Sequence, residues 1–215
     1  MQEPTWEYEE QYWGAGIGLI AGVDEVGMGA LAGPVCAAAV IFDSAAVLSS
    51  KYDVASIKIR DSKLLSAQQR EKAQGWIKEH ALAWAIGEAT VEEINHINIR
   101  QASHLAMRRA LTALGLIPDL VLVDGNPVQL HEHIPTTNII KGDQLCYSIA
   151  AASILAKVHR DALMVELDAQ FPVYGFASHK GYGSPTHLAA LKTDGATIHH
   201  RRAYAPVAAA IHNGI

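Results

Sequence analysis

Apolar residues in this chain fall into two patterns, short unbroken runs and longer stretches that repeat every three or four positions. Leu19–Asp24, Val35–Phe42 and Ala83–Thr90 have the length, apolar density and flanking turn residues of β-strands. Leu120–Val123 and Asn138–Ile140 are shorter runs of the kind that form buried parallel strands. Between the second and third strands, Ser66-Ala67-Gln68-Gln69 has the form of a capping box and opens a helix through about His80. Glu92 to Leu114 is a second helical stretch, broken near Asn95, with Met107, Ala110, Leu111 and Leu114 on one apolar stripe. From Tyr147 to about Gln170 the pattern is helical and Ala-rich, with Lys157, Arg160 and Asp161 on a more polar side, until Pro172 and the Gly-rich Tyr174–Gly183 segment end it. Strands and helices in this order predict a mixed sheet covered by helices, an α/β fold with a C-terminal helical extension. No internal repeat or linker divides it.

Length and composition fit a single compact domain, 1–215, with an N-terminal extension of about 1–18 and a C-terminal segment of about 172–215. Residues 15–23 are apolar but too few to span a bilayer, and the acidic N-terminus lacks the basic region of a signal peptide, so a cytoplasmic monomer without membrane partners is expected. Cys36 and Cys146 read as reduced thiols. The net charge of −5 is unevenly placed: residues 1–50 hold seven acids and no Lys or Arg, while the remainder holds 17 basic and 15 acidic residues. Lys58, Arg60, Lys63, Lys141, Lys180, Arg201 and Arg202 lie near the chemically informative motifs and allow a local basic groove.

Four carboxylates stand out. Asp24 and Glu25 are adjacent within Ala21-Gly22-Val23-Asp24-Glu25-Val26-Gly27-Met28-Gly29, Asp124 lies in Val123-Asp124-Gly125, and Asp143 in Lys141-Gly142-Asp143. Each follows an apolar run, at the expected end of a strand. Acids from several strand ends converge only if the strands are neighbours, and then they repel unless a cation sits among them. Residues 24 and 25 point to opposite faces of an ideal strand, so both serve one site only if the strand ends or bends there, as Gly27 and Gly29 permit. Oxygen-only ligands suit Mg²⁺ or Mn²⁺, and two such ions about 4 Å apart can activate water and stabilise the leaving oxygen in phosphodiester cleavage. The eleven histidines are scattered, and His131/His133 and His199/His200 lack the ligand spacing of a zinc site.

Gly22-Val23-Asp24-Glu25-Val26-Gly27-Met28-Gly29-Ala30-Leu31-Ala32-Gly33-Pro34-Val35 resembles the first motif of the type 2 ribonucleases H (ribonuclease HII), usually Gly-(Ile/Val)-Asp-Glu-Ala-Gly-Arg-Gly-Pro-Leu-Ala-Gly-Pro-Val. Asp61-Ser62-Lys63 matches the second motif and Val123-Asp124-Gly125-Asn126 the third, with Lys141-Gly142-Asp143 and the Ser148-to-Lys157 stretch matching the fourth. His179-Lys180-Gly181-Tyr182-Gly183-Ser184 and His200-Arg201-Arg202-Ala203-Tyr204-Ala205-Pro206 resemble the C-terminal signatures. The resemblance implies a ribonuclease H-like mixed five-stranded sheet flanked by helices. It implies endonucleolytic cleavage of the RNA strand of RNA–DNA hybrids and incision at ribonucleotides embedded in duplex DNA, leaving a 5′-phosphate and a 3′-hydroxyl. By carry-over Asp24, Glu25, Asp124 and Asp143 hold the metal ions, with Asp24 bridging both. Discrimination turns on the 2′-hydroxyl; the family's Gly-Arg-Gly backbone approaches it, which corresponds to Gly27, Met28 and Gly29. The family's tyrosine that packs on the sugar at the junction corresponds to Tyr182; Lys63, Lys180 and Arg201 are expected to meet phosphates, and the segment of about 172–215 is expected to bind substrate.

The chain departs from the family pattern at Met28, where Arg is usual, and at Ala30, where Pro is usual. Val26, Leu64, Ser184 and Ala203-Tyr204 are milder changes, and no metal-binding carboxylate is altered. Met28 and Ala30 motivate an alternative, a catalytically weak or inactive family member that binds hybrid nucleic acid. A DNA-processing nuclease on the same fold is a third reading. Retention of all four acids favours catalysis, and the Gly27–Gly29 segment with Tyr182 favours ribonucleotide sensing.

Overall fold

The computed structural model describes residues 3–50, 57–125 and 127–212; Asn126 of the third motif lies outside them. Five strands form, β1 (Ile20–Val26), β2 (Val35–Ile41), β3 (Ala83–Ala89), β4 (Leu120–Asp124) and β5 (Thr136–Ile139). They make one mixed sheet in the order β3-β2-β1-β4-β5, antiparallel from β3 to β1 and parallel from β1 to β5. Helices among the described residues are α1 (Glu7–Gly14), α2 (Ser44–Leu48), α3 (Ala67–His80), α4 (Val91–Ile97), α5 (Ile99–Ala113), α6 (Gly142–Leu145), α7 (Tyr147–Gln170), α8 (Phe176–His179), α9 (Pro185–Asp194) and α10 (Ala205–His212).

One strand boundary differs from expectation in a way that matters. β1 does not stop at Asp24 but runs to Val26. Its ladder with β4 ends at Val23↔Val123, whereas its ladder with β2 continues through Asp24↔Ala38, Glu25↔Ala37 and Val26↔Cys36. The two acids are therefore fixed from one side by β2, while the other side opens between β1 and β4.

The capping box at Ser66 and Gln69 forms as its sequence suggests. The helical stretch after β3 breaks at Asn98 rather than near Asn95. Asn98 takes a left-handed φ of +68°, and its side chain accepts a hydrogen bond from Gln101 N (3.1 Å), so one residue ends α4 and opens α5. Ala102, Ala106, Met107 and Ala110 of α5 pack on the sheet face carrying Val23, Ala37 and Ala39. Ala150, Ala151, Ile154 and Leu155 of α7 cover the opposite face, against Ala38 and Val40. α7 can lie this close because residue 22 is glycine: a Cβ there would sit 2.3 Å from the Ser148 carbonyl carbon. The first turn of α7 has no capping side chain of its own. Buried Glu9 from α1 supplies the acceptor, its Oε1 taking hydrogen bonds from Ser148 N (2.8 Å) and the Cys146 thiol (3.2 Å). Among the described residues no helix is long and apolar enough to cross a membrane.

Candidate active site

Three elements deliver the four acids to the open end of the sheet. Asp24 and Glu25 come from β1, Asp124 is the last residue of β4, and Asp143 lies in the first turn of α6. Gly142 N donates to Asp124 Oδ1 at 2.6 Å, which ties the Asp143 turn directly to β4. The groups sense one another. Desolvation, then the charges of Glu25 and Asp124, pushes the Asp24 carboxyl well above its usual range. Burial and Asp124 raise Glu25 to about 7; burial, Asp124 and Asp61 raise Asp143 to about 6. Asp124 is itself raised, mainly by burial, against the hydrogen bond from Gly142. No three of the four bring their oxygens within 4.8 Å of one another, so they line an open rim rather than a closed cage for a single ion. Such a crowded set of oxygen donors, its charge only partly offset by Lys63, fits hard divalent cations.

The second motif lies beside this rim. Asp61 is buried and caps the short 3₁₀ turn Ser62–Leu64, accepting from Lys63 N (3.0 Å). Ser62 Oγ meets Ser153 Oγ of α7 at 3.0 Å, and the Ser153 hydroxyl in turn supports Asp24. Lys63 thus faces the acids: burial opposes its charge, but Asp61, Asp24 and Asp143 outweigh this and raise its pKa. Asp61 and Ser153 were not among the sequence candidates for the site, because their role depends on where α7 docks. On the α5 face, Glu25, Met28, Asp124, Arg100 and His104 line a groove of about 700 Å³. Arg100 is a further unanticipated member, and it places a cation in the groove where Met28 supplies none.

The Gly27–Gly29 segment is held from behind. Gly27 has φ +98°, and a Cβ there would fall 2.2 Å from Arg160 Nε, so glycine is required on both counts. Sequence reasoning expected Arg201 to meet phosphate; the structure corrects this. Arg201 is fully buried and donates to the carbonyls of Gly27 (2.7 Å), Met28 (3.0 Å), Gly33 (3.0 Å) and Pro34 (3.1 Å). Tyr204 Oη also donates to the Met28 carbonyl, at 2.5 Å. No peptide bond here is cis. In a trans peptide the carbonyl and the following N–H point in opposite directions. Turning the carbonyls of residues 27 and 28 inward therefore turns the N–H groups of Met28 and Gly29 away from Arg201. Tyr182 stands beside them, with its ring 3.9 Å from where a Cβ on Gly29 would be and Arg160 5.6 Å from its centroid. Lys180, half-buried, turns its ammonium back to the Ala177 carbonyl.

The sheet order and flanking helices match solved ribonucleases H of types 2 and 3. The ribonuclease H2 from Pyrococcus horikoshii OT3 superposes with a TM-score of 0.76 at 24% identity, over 91% of this chain and 98% of that one. Bst-RNase HIII in complex with Mn²⁺ gives a TM-score of 0.67 at 18% identity, over 91% and 70%. These likenesses define a ribonuclease H-like fold. The sequence profile of the family Ribonuclease HII matches residues 21–207. The ribonuclease HII of Acidovorax sp. (strain JS42) is 53% identical over 90% of this chain and 88% of its own length, and that of Burkholderia pseudomallei (strain K96243) 49% over 88% and 84%. The chain belongs to the ribonuclease HII family. It is an endoribonuclease of a divalent-metal-dependent family that cleaves the RNA of RNA–DNA hybrids.

Proposed function

We propose that this enzyme also incises duplex DNA at single embedded ribonucleotides, by a two-metal mechanism that leaves a 5′-phosphate and a 3′-hydroxyl. The observation that carries this reading is the pairing of two features on one side of the molecule. One is the rim of Asp24, Glu25, Asp124 and Asp143; the other is the Met28–Gly29 backbone, its carbonyls engaged by Arg201 and Tyr204. Mg²⁺ or Mn²⁺ would be held by the four carboxylates, and two such ions when bound supply the charge that activates water and stabilises the leaving oxygen. Mn²⁺ accompanies one solved type 3 relative, which supports the class of ion without choosing between the two.

The chain's own residues do the rest. Outward N–H groups at 28 and 29 can donate to a 2′-hydroxyl, which deoxyribose lacks. The half-exposed Tyr182 ring offers an apolar face to the adjoining sugar, and Lys63 and Arg100 supply positive charge toward the phosphates, while the Lys180 ammonium is held on the Ala177 carbonyl. Residues from about 172 onward act as the substrate-binding part of one catalytic unit with the sheet. Arg201 serves this as a positioning residue.

The test uses three duplexes, with one ribonucleotide in DNA, a continuous hybrid, and plain DNA, each with Mg²⁺ and with Mn²⁺. Cutting of the first two with 3′-hydroxyl ends is expected, and Asp124→Asn should abolish it with the fold intact. Cutting of hybrid alone would refute the proposal for embedded ribonucleotides, and near-normal rates in Asp124→Asn would refute the metal-site assignment.

A further inference from the structure

Away from the carboxylate rim, three side chains from distant parts of the sequence meet. Cys36 on β2 and Glu88 on β3 are cross-strand partners in the antiparallel ladder, and His159 projects from α7 onto the same face. His159 Nε2 lies 2.6 Å from Glu88 Oε1. The Cys36 Sγ, a Glu88 carboxylate oxygen and a His159 ring nitrogen all lie within 4.8 Å of one another, and no other such trio occurs among the described residues.

The donor set is chemically distinct from the rim. Thiolate and imidazole are ligands for Zn²⁺, whereas Mg²⁺ prefers oxygen. As thiolate, carboxylate and neutral imidazole, the three ligands carry two negative charges against a dication. The sulfur forms a closed floor, with Cys36 fully buried, while the Glu88 and His159 side chains are 39% and 31% exposed and form an open mouth. Glu88 also lines a cleft of about 510 Å³ with Gly33, Pro34 and Met164, which brings solvent to its carboxylate.

The surroundings act in both directions. Burial pushes the Cys36 thiol up to about 12, and the charge of Glu88 adds to this, while the guanidinium groups of Arg160 and Arg201 pull it down. A bound cation must therefore displace the thiol proton. The two guanidiniums favour the sulfur anion and oppose a dication, so the expected affinity lies below that of a four-ligand structural zinc site.

We propose that Cys36, Glu88 and His159 form a Zn²⁺-binding site separate from the catalytic carboxylates, with water from the cleft as the fourth ligand. An ion there ties β2 and β3 to α7. Because Cys36 pairs with Val26, it does so directly behind the Gly27–Gly29 segment. The proposal is independent of the nuclease chemistry.

The test is metal binding by the full-length, metal-stripped chain. Zn²⁺ is titrated against a chromogenic chelator in excess Mg²⁺, and Co²⁺ is used to look for a thiolate charge-transfer band in the near ultraviolet. One equivalent of Zn²⁺ is expected, retained in Asp124→Asn and Cys146→Ala and weakened at least about tenfold in Cys36→Ala and in His159→Gln. The Co²⁺ band should persist in Cys146→Ala and vanish in Cys36→Ala. The partly exposed His159→Gln keeps the test decisive if Cys36→Ala folds poorly. Equal Zn²⁺ affinity in the wild type and His159→Gln, or no band with Co²⁺, would overturn the proposal.

Discussion

An enzyme that gathers acids around metal ions carries a cost whenever the ions are absent, and Asp143 allows that cost to be measured. The residue is 7% exposed, and its carboxyl is raised from 3.8 to about 6 by burial, Asp124 and Asp61. A folded-state pKa above the unfolded value means the native protein holds the proton more tightly. This contribution to stability is therefore greatest below about 4 and is lost as pH rises through about 6. The displacement corresponds to at most about 3 kcal/mol at pH 8, and the repulsion is shared with its neighbours, so Asp143→Asn should stabilise the metal-free fold by roughly 1–3 kcal/mol. Urea unfolding in chelator at pH 8 should show the gain, and it should shrink to nothing by pH 4. On the proposed metal-site assignment, adding Mg²⁺ should reverse the ranking, since bound ions stabilise the wild type in proportion to ln(1 + [L]/Kd) and the variant lacks one proposed ligand. Activity should fall in the same protein. A variant that is unchanged or weaker than wild type at pH 8 without metal would show that the acids do not repel one another as argued.

Other parts of the site are open to equally direct checks. Arg201→Met leaves the carbonyls at residues 27, 28, 33 and 34 short of a donor; a loss of about 3–5 kcal/mol is expected by urea unfolding, with a rise in KM for ribonucleotide-containing duplex, and a loss below about 1 kcal/mol would contradict its role. The buried rings of His187 and His200 meet at 3.1 Å between Nε2 atoms, so one proton at most fits between them. Burial lowers both, His200 to about 4. A lowered folded pKa gives stability that is present above about 6.5 and lost as pH falls toward 4. The difference in unfolding free energy between wild type and His200→Gln should thus shrink by up to about 3 kcal/mol over that window, and a pH-independent difference would refute it. Met28→Arg should steepen the log–log salt dependence of substrate binding by up to about one unit, and an unchanged slope and rate would mean the side chain at 28 is irrelevant.

Much of the architecture was legible locally. The apolar runs located all five strands, and Ser66 with Gln69 marked the start of α3, because capping and alternation are satisfied by near neighbours. Where two acceptable breakers compete, local signals lose precision: the helix broke at Asn98, which could both take a left-handed φ and cap the next helix, and not near Asn95. The acids Asp24, Glu25, Asp124 and Asp143 stood out because ionised groups that follow apolar runs need partners, although only Asp124 ends a strand, with Asp24 and Glu25 inside β1 and Asp143 in the first turn of α6.

What the linear pattern could not show were relations set by packing across long separations. Arg201 reads as a surface cation, yet tertiary structure buries it among four carbonyls and makes it the support of the Gly27–Gly29 backbone. Glu9 caps a helix more than 130 residues away (139 to Ser148), and Cys36 meets His159 across the sheet. The chain itself determined which segments become strands or helices and which residues carry charge, through interactions spanning a few positions. Only the closing of the sheet under α5 and α7 decided which charges are desolvated, and desolvation is what turns an ordinary side chain into a ligand, a brace or a switch.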